Sequence, residues 1–240
     1  MKVTIIGYGT MGHEIEKILI ERGHTIADII DIGNTEKLAP AQLIQTDVAI
    51  EFTTPSAAYN NVTACLKAGI PVVCGTTGWN QQRADSEALC QQLNGTFLWA
   101  SNFSVGVNIL FHVNKLLARI MERFPEYNVA INETHHTRKL DSPSGTAVTL
   151  AEHIIQNLSR KTTWCNSPTD NAQTINIESF REGDVAGIHE IIYDSPADLL
   201  SLRHEAKSRR GFALGAVMAA EVAATHTGVL SFDDIFKDLI

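Results

Sequence analysis

Basic residues, paired cysteines and long apolar runs are all scarce in this sequence. Its 240 residues contain 19 Lys and Arg against 27 Asp and Glu, which gives a formal net charge of -8 at pH 7. An acidic chain is a poor general binder of nucleic acid or of membrane surfaces, because both attract basic patches with their phosphates. No apolar run reaches the roughly 18 residues that a membrane-spanning helix requires. We therefore expect no nucleic-acid partner and no membrane partner.

Four cysteines are present, but none of them forms the C-x-x-C spacing of a zinc site or a redox pair. They are Cys65, Cys74, Cys90 and Cys165, and we predict reduced thiols in or beside the core, with no metal site. At the N-terminus, Lys2 precedes a short apolar segment, but glycines interrupt that segment before the core of a signal peptide can form. The expected location is the cytoplasm.

Five short apolar segments alternate with helical segments in the first hundred residues. The predicted strands are VTIIG, TIADIID, DVAIEF, PVVCGTT and TFLWASN. Parallel strands need crossover connections, which helices supply, so this alternation predicts an α/β fold with a Rossmann-like doubly wound parallel sheet. We assign residues 1–102 and 211–240 to this dinucleotide-binding domain. Residues 103–210 are assigned to an α+β domain with a mixed sheet, for substrate binding and oligomerisation.

A G-x-G-x-x-G motif lies at the turn from the first predicted strand to the first helix. Its six residues are Gly7, Tyr8, Gly9, Thr10, Met11 and Gly12. The first glycine of such a motif permits a tight turn, the second lets a pyrophosphate approach the backbone, and the third lets the helix pack closely on the strand. Asp31 ends the second strand, where a carboxylate can accept hydrogen bonds from a ribose 2′-OH. These features predict a dinucleotide site; the alternative is a flexible turn, with Asp31 an ordinary turn residue.

Asp31 also indicates which dinucleotide is preferred. A 2′-phosphate would bring about two negative charges toward this carboxylate, and the following residues, Ile32 and Gly33, supply no basic group. We therefore predict a preference for NADH, with NADPH possible.

Hydroxylic residues follow two later strands of the predicted parallel sheet. Phe52 and Thr53 end the third strand, and Gly75, Thr76 and Thr77 end the fourth. Ligands of open α/β sheets bind at the carboxyl ends of the strands, so these residues are candidates for the nicotinamide side of the site. Ordinary turn chemistry is the alternative for both segments.

After Asn102 the pattern changes to an amphipathic helix, GVNILFHVNKLLARIMERF, ended by Pro125. A strand, YNVAINETHH, and two further alternating runs predicted as antiparallel strands would complete a mixed sheet. We expect copies of the chain to associate through the exposed outer face of this mixed sheet. His112 is interpreted as structural rather than catalytic, and His189 and His204 as structural or solvent-facing. The apolar segment RRGFALGAVMAAEVAAT should form a helix that packs on the first domain.

The stretch ETHHTRKLDSPSGTA, residues 133–147, combines groups that a hydrophobic core does not need. A helix that starts at Ser142–Thr146 would offer N–H groups to an anion, and Lys139 would add positive charge. The two histidines should point in opposite directions if the strand continues through them. A histidine near its ordinary pKa of about 6.5 could donate a proton to a bound carboxylate-bearing substrate. The alternative is a surface loop whose charges are merely solvated.

This stretch closely resembles the pattern E-x-H-H-x-x-K-x-D-x-P-S-G-T-A of the dihydrodipicolinate reductase family, the 4-hydroxy-tetrahydrodipicolinate reductases of bacterial lysine and diaminopimelate synthesis. Every fixed position of the pattern matches. The resemblance extends to Ala100–Asn108, which looks like the family's hinge between domains, and to the segment around Arg209. The glycine motif is shorter than in many members and no basic residue follows Asp31, so cofactor preference is not carried over from them.

The resemblance implies loss of water from a 4-hydroxy heterocycle, hydride delivery from NAD(P)H to ring C4, and protonation at C3. It implies that His135 is the general acid, and that His136 and Lys139 hold a dicarboxylate substrate. Ser144, Gly145 and Thr146 would bind a substrate carboxylate. Ser101, Asn102, Phe103 and Arg209 would bind the cofactor, and the assembly would be a homotetramer.

Two other functions are compatible with parts of the sequence. One is a different Rossmann oxidoreductase, acting on another carboxylated imine or aldehyde. The other is a non-catalytic dinucleotide sensor, which would bind NADH without turnover. A substrate panel and a turnover assay separate these alternatives from the reductase.

Overall fold

The computed structural model describes residues 1–236 and divides into two compact units, residues 1–105 together with the chain from Arg209 onward, and Gly106–Ser208. The strands are β1 Lys2–Ile6, β2 Thr25–Ile30, β3 Val48–Glu51, β4 Val72–Cys74, β5 Thr96–Trp99, β6 Asn128–His135, β7 Thr163–Cys165, β8 Thr174–Arg181, β9 Ile188–Asp194, β10 Leu199–Glu205 and β11 Gly228–Leu230. The α-helices are α1 Thr10–Glu21, α2 Pro40–Leu43, α3 Pro55–Lys67, α4 Asn80–Gln92, α5 Val105–Met121, α6 Gly145–Ile155 and α7 Arg210–Ala223. Two 3₁₀ segments, Ile32–Leu38 and Phe232–Phe236, complete the description.

The first unit is built on a six-stranded sheet with the order β11-β5-β4-β3-β1-β2, and all of its strands run parallel. Every residue of β3 is buried, as expected for a strand that is covered on both faces. Two separate hydrophobic clusters cover these faces. The predicted doubly wound parallel sheet is therefore confirmed.

The apolar helix predicted near the end of the chain is α7, and it contributes to the first of these clusters together with Ile15 and Leu19 of α1. Its small side chains allow close packing: a Cβ on Gly215 would lie 1.8 Å from the carbonyl oxygen of Phe103. The helix thus packs on the parallel sheet, as predicted.

Three elements of the first unit have no counterpart in the sequence-based prediction. Strand β11 adds to the edge of the sheet beside β5, and the 3₁₀ segment Ile32–Leu38 with α2 fills the connection from β2 to β3. The sequence SFDDIFKDLI, residues 231–240, predicts a short C-terminal helix. The structure has a 3₁₀ segment at Phe232–Phe236 instead, and the rest of this prediction lies outside the described residues.

The second unit contains a five-stranded sheet with the order β10-β9-β6-β8-β7. Strand β9 runs antiparallel to β6 and β10, whereas β8 runs parallel to β6 and β7. The mixed sheet is confirmed, but the prediction that β8 is antiparallel was wrong. Its short neighbour β7 was not predicted. Strands β8 and β9 are consecutive in the sequence, but they do not form a hairpin, because β6 lies between them in the sheet.

Helices α5 and α6 cover one face of this sheet. Leu110 of α5 and Leu150 of α6 belong to the same buried cluster as Ile131 of β6 and Ile191 of β9. Helix α5 ends at Met121 rather than next to Pro125 as predicted. Among the described residues, no helix is both long and apolar enough to cross a membrane. The four cysteines are free thiols, as predicted, with Cys65, Cys74 and Cys90 buried.

Candidate active site

The glycine-rich turn joins β1 to α1, and each of its three glycines has a different environment. Gly7 has a φ of +92°, and a Cβ there would lie 2.1 Å from the carbonyl oxygen of Phe52. A Cβ on Gly12 would lie 2.3 Å from the carbonyl oxygen of Gly7. Gly9, in contrast, has open space around its Cβ position out to 4 Å. Gly7 and Gly12 are thus required by the fold, while Gly9 leaves the backbone accessible to a ligand.

Helix α1 begins immediately after Gly9, with Thr10 as its first residue. No side chain caps this end of the helix, and its first turn contains no acidic residue. Met11 packs against the core. The positive end of the helix dipole is therefore available to an anion.

Two adjoining cavities lie at the carboxyl ends of the parallel strands and share Gly9, Phe52 and Thr53. The first has a volume of about 360 Å³ and is lined by Gly7, Asp31, Thr35, Leu38 and Asn61, among others. The second has a volume of about 400 Å³ and is also lined by Thr10, Met11, Gly75, Thr76 and Thr77. Ten of the fifteen cofactor-site residues predicted from the sequence line these cavities, and Gly12 lies beneath them in α1.

Asp31 is exposed at the end of β2, where it lines the first cavity. Its backbone N–H donates to Oδ1 of Asn34 at 2.7 Å, and Nδ2 of Asn34 donates to the carbonyl oxygen of Ile29 at 3.0 Å. This local network fixes the start of the 3₁₀ segment. Thr35 and Leu38 of that segment line the same cavity, and the sequence analysis missed both because it assigned no structure there.

Thr53 and Thr76 are joined by a hydrogen bond from the Thr53 N–H to Oγ1 of Thr76, at 2.8 Å. The Thr53 hydroxyl donates to the buried carboxylate of Glu51. The indole N–H groups of Trp79 and Trp99 donate to the carbonyl oxygen of Thr76 at 2.7 and 2.9 Å. These bonds set the shape of the second cavity, whereas the exposed Thr77 keeps its side chain in solvent.

The other predicted cofactor residues have different surroundings. Phe103 is 2% exposed and packs edge-on against Phe52, with 5.4 Å between ring centroids. Ser101 is exposed, and Oδ1 of Asn102 accepts the backbone N–H of Ser104 at 2.8 Å. Arg209 is exposed at the start of α7. The side chain of Phe103 therefore belongs to the core, where it supports Phe52 of the cavity wall.

In the second unit, β6 carries functional groups at its carboxyl end. Its residues alternate between buried and half-exposed positions, and Glu133 and His135 fall on the same buried face as Val129 and Ile131. The strand ends at His135, so His136 begins the following turn and is half-buried. The buried face therefore changes from apolar to ionisable residues at the end of the strand.

Three ionisable side chains meet beneath this end of β6. Nδ1 of His135 lies 3.5 Å from Oε2 of Glu133, and Nε2 of His189 lies 3.8 Å from the same oxygen. The rings of His135 and His189 meet edge-on, with 5.0 Å between centroids. His189 is buried and belongs to this cluster. Of its two predicted roles, structural or solvent-facing, the solvent-facing one was therefore wrong. One ligand atom from each side chain lies within 4.8 Å of the others, but the carboxylate oxygens already accept protein hydrogen bonds, and we assign no metal.

Burial lowers the pKa of both imidazoles in this cluster. For His135, burial is the largest effect and outweighs the opposing attraction of Glu133. For His189, burial and the neighbouring His135 lower the pKa to about 3. Both rings are therefore neutral at pH 7. The sequence analysis expected a proton donor with an ordinary histidine pKa; burial, which the sequence does not reveal, lowers the pKa of His135.

Lys139 and Asp141 form an ion pair in the turn after β6, with 2.8 Å between Nζ and Oδ1. The Lys139 side chain is 21% exposed. Nη2 of Arg181 donates to the carbonyl oxygen of Asp141 at 2.6 Å, so a second cation lies at this turn. Arg181 was not among the residues predicted from the sequence; the pairing of β8 with β6 places it opposite His135.

Ser144 is the N-cap of α6, within the helix start that the sequence predicts over residues 142–146, and its Oγ accepts the N–H of Ala147 at 3.2 Å. The N–H of Ser144 donates to Glu133, so both groups are engaged within the protein. Gly145 is exposed, with no atom within 4 Å of its Cβ position, and the half-buried Thr146 follows it. The accessible part of this helix N-terminus is thus the backbone at Gly145.

A glycine-rich turn on a Rossmann-type sheet, in a chain whose second unit carries a buried imidazole pair, defines the class of protein: an oxidoreductase that uses a dinucleotide. Family models refine this class. Residues 1–103 match the N-terminal model of dihydrodipicolinate reductase, and residues 106–236 match its C-terminal model. The chain belongs to the dihydrodipicolinate reductase family.

Curated relatives agree with this assignment over nearly the whole chain. A 4-hydroxy-tetrahydrodipicolinate reductase of Christiangramia forsetii is 43% identical and covers 100% of this chain and 99% of its own. The enzyme of the same name from Neisseria meningitidis is 32% identical, over 90% of this chain and 78% of its own.

A solved structure shares the fold. The dipicolinate-bound dihydrodipicolinate reductase from Paenisporosarcina sp. TG-14 superimposes with a TM-score of 0.78 at 23% identity, over 96% of this chain and 97% of its own.

Proposed function

We propose that the protein reduces 4-hydroxy-tetrahydrodipicolinate to tetrahydrodipicolinate in lysine and diaminopimelate biosynthesis, in the cytoplasm. The observation that carries this proposal is the family match along both units, together with the His135, Lys139 and Gly145 groups that the second unit places around one turn. Named relatives act as 4-hydroxy-tetrahydrodipicolinate reductases.

The residues of the first unit fit a reduced nicotinamide dinucleotide. The open space at Gly9 and the uncapped start of α1 suit a pyrophosphate, and Asp31 in the first cavity suits a ribose diol. Bound there, the dinucleotide supplies a hydride. We propose NADH as the preferred form, because Asp31 would repel the phosphate of NADPH.

His135 is the proposed proton donor. The reaction removes water from the substrate, adds a hydride at ring C4 and adds a proton at C3, so one proton must come from the protein or solvent. A dicarboxylate beside His135 brings negative charge that raises its pKa, which makes the imidazolium available once the substrate is bound. Nε2 of His135 faces Gly187: a Cβ added to Gly187 would lie 3.2 Å from this nitrogen.

Lys139, His136 and the N-terminus of α6 are proposed to bind the substrate. The Lys139 ammonium pairs with Asp141, and a substrate carboxylate would compete for it with Gly145 N–H as a second donor. Positive charge from Lys139 also stabilises the electron density that the conjugated imine gains on accepting hydride.

The experiment that tests this function is a coupled assay in which the substrate is generated in situ and NADH absorbance is followed. We expect NADH consumption that depends on the substrate, and a higher kcat/KM with NADH than with NADPH. Binding of NADH without turnover would support the sensor alternative. Turnover only with another imine or aldehyde in a substrate panel would support a different oxidoreductase.

We also propose that the protein is a homo-oligomer, a tetramer by the family resemblance, that associates through the outer face of the mixed sheet. That face carries Ile192 of β9 opposite Ala130 of β6, and the exposed Phe180 of β8 opposite Thr134. Light scattering after gel filtration should give the mass of four chains. An Ile192→Glu variant should give smaller species; an unchanged mass would place the interface elsewhere.

A further inference from the structure

Glu133 is a carboxylate with no solvent exposure that the proposed reaction does not use. It lies on the buried face of β6, two residues before His135, and its side chain is 0% exposed. Ionised carboxylates are rarely buried so completely unless protein donors satisfy them. Its contacts therefore indicate what it does.

Hydrogen bonds connect this carboxylate to two other elements. The Ser144 N–H lies 3.0 and 3.1 Å from its two oxygens, and the Ser179 hydroxyl donates to Oε1 at 2.8 Å. Ser144 is the N-cap of α6, and Ser179 belongs to β8. One carboxylate thus ties the end of β6 to the start of the helix that is proposed to bind the substrate.

The same carboxylate is ionised and lies next to the proposed proton donor. Burial raises the pKa of Glu133, but the hydrogen bonds from Ser144 and Ser179 outweigh it and the pKa is lowered. Its Oε2 lies 3.5 Å from Nδ1 of His135. No hydrogen bond forms at this distance, but the negative charge of Glu133 favours a proton on Nδ1, while Nε2 is the atom that faces Gly187.

Other charged groups also face His135. Lys139 in the turn and Arg181 of β8 lower its pKa, whereas Glu133 and, to a smaller extent, Asp141 raise it. His189 of β9 lies edge-on against the ring. Among these charges, Glu133 has the largest effect and is the main group that favours the imidazolium.

We propose that Glu133 is a positioning residue for the reduction: it fixes the ring of His135 and, through the Ser144 N–H, sets the position of that ring relative to the N-terminus of α6. The inference rests on the proposed function, since it assigns His135 and α6 to proton donation and carboxylate binding. Substrate and proton donor would then be aligned by one side chain that touches neither the substrate nor the cofactor.

The test compares Glu133→Gln with Glu133→Asp by steady-state kinetics across pH. Glu133→Gln removes the charge, and its amide cannot accept from Ser144 at both atoms. We expect kcat to fall about tenfold or more, and the alkaline limb of the kcat profile to move to lower pH. Glu133→Asp keeps the charge, so the limb should stay near its wild-type position although kcat falls. The KM for NADH should change little in either variant.

Glu178→Gln is the matched control, because Glu178 is exposed on the neighbouring strand β8, and wild-type kinetics are expected. If Glu133→Gln does not fold, Glu133→Asp and Ser179→Ala carry the test, and both should lower kcat. NMR titration of His135 gives a readout that does not need turnover: its pKa should be lower in Glu133→Gln than in the wild type.

Several outcomes overturn the proposal. They are a wild-type kcat in Glu133→Gln, a reduced kcat with an unmoved pH profile and an unmoved His135 titration, or wild-type kcat in both Glu133→Asp and Ser179→Ala. Absence of reductase activity in the wild-type protein would instead overturn the proposed function. The NMR comparison would then still test the contact between Glu133 and His135.

Discussion

Oγ of Ser144 lies 3.2 Å from Nε2 of His189. This contact joins the N-cap of α6 to strand β9 of the mixed sheet. The same oxygen accepts the N–H of Ala147, so it can donate its own proton to an unprotonated Nε2. The hydroxyl oxygen has two acceptor positions, so this contact fits either protonation state; burial and the neighbouring His135 are what favour the neutral ring. Protonation of His189 would therefore place a charge in a buried position, which costs free energy in the folded protein.

The first prediction concerns stability at acidic pH. The pKa of His189 is about 3 in the folded protein against an ordinary value of 6.5, so only the unfolded chain takes up this proton as the pH falls below 6.5. The free energy of unfolding is therefore unaffected by this histidine above pH 6.5, and it decreases progressively as the pH falls from 6.5 toward 3. One such proton gives a slope of up to about 1.4 kcal/mol per pH unit. Urea denaturation between pH 7 and pH 5 measures it.

His189→Gln should show a shallower pH dependence than the wild type over this range, because glutamine has no such proton to take up. His226→Gln serves as the control, since His226 is exposed. Equal slopes for wild type and His189→Gln would mean that His189 is not held neutral by the fold.

The second prediction separates the glycines that the fold requires from the one that the ligand requires. Gly9→Ala meets no protein atom, so the protein should keep its wild-type melting temperature. The added methyl group would nevertheless occupy the place of the pyrophosphate, and the Kd for NADH should rise about tenfold or more, which corresponds to at least 1.4 kcal/mol.

Gly33→Ala is the control for this experiment, because Gly33 also has open space around its Cβ position but lies outside the motif. Calorimetry for stability and fluorescence titration for NADH affinity give the two readouts. Unchanged affinity in Gly9→Ala would show that no pyrophosphate approaches this turn.

Local sequence predicts those features that depend on a few neighbouring residues. The glycine motif specifies its own turn, since the positive φ of Gly7 and the close approach at Gly12 leave little choice of residue. The cap of α6 is local as well, because Ser144 bonds to a residue three positions later. The glycine turn and a helix start within residues 142–146 were predicted, and both are confirmed.

Features that depend on distant segments were not predictable in this way. The direction of β8 follows from its pairing with β6, and nothing in an alternating strand pattern specifies which neighbour it takes or in which direction. Glu133 meets His189 only because β6 and β9 pair in a register that places Glu133 opposite His189. The lowered pKa of His135 depends on the same assembly, since burial is its main cause.

The third prediction concerns cofactor choice. Asp31→Asn removes a negative charge from the cavity, so repulsion of a 2′-phosphate falls while a hydrogen bond to the ribose diol is weakened. The ratio of kcat/KM for NADH to that for NADPH should decrease about tenfold, or about 1.4 kcal/mol. Steady-state kinetics with both cofactors measure this ratio.

The matched control is Asp47→Asn. Asp47 carries the same charge but accepts the backbone N–H of Lys2 at 2.6 Å. It lies at the opposite ends of β1 and β3 from the cavity. The ratio of kcat/KM for NADH to that for NADPH in Asp47→Asn should therefore equal that of the wild type. A ratio that does not change in Asp31→Asn, or a wild-type preference for NADPH, would contradict the role of Asp31.

The fourth prediction distinguishes proton donation from substrate binding. His135→Ala should lower kcat about 100-fold or more and change the substrate KM much less, because the imidazole acts in the transition state. Lys139→Ala should lower kcat and also raise KM, because the ammonium binds the carboxylate in the ground state and stabilises charge in the transition state. Both variants should bind NADH normally, since neither residue belongs to the first unit.

Arg138→Ala provides the comparison for Lys139, because Arg138 is the adjacent cation and its side chain is 73% exposed while paired with Asp184. Its removal should leave both constants near their wild-type values. An unchanged kcat for His135→Ala would exclude this imidazole as the proton donor, and equal losses in Arg138→Ala and Lys139→Ala would mean that the turn attracts the substrate only through its net charge. A specific loss in Lys139→Ala would instead place the substrate carboxylate at that ammonium.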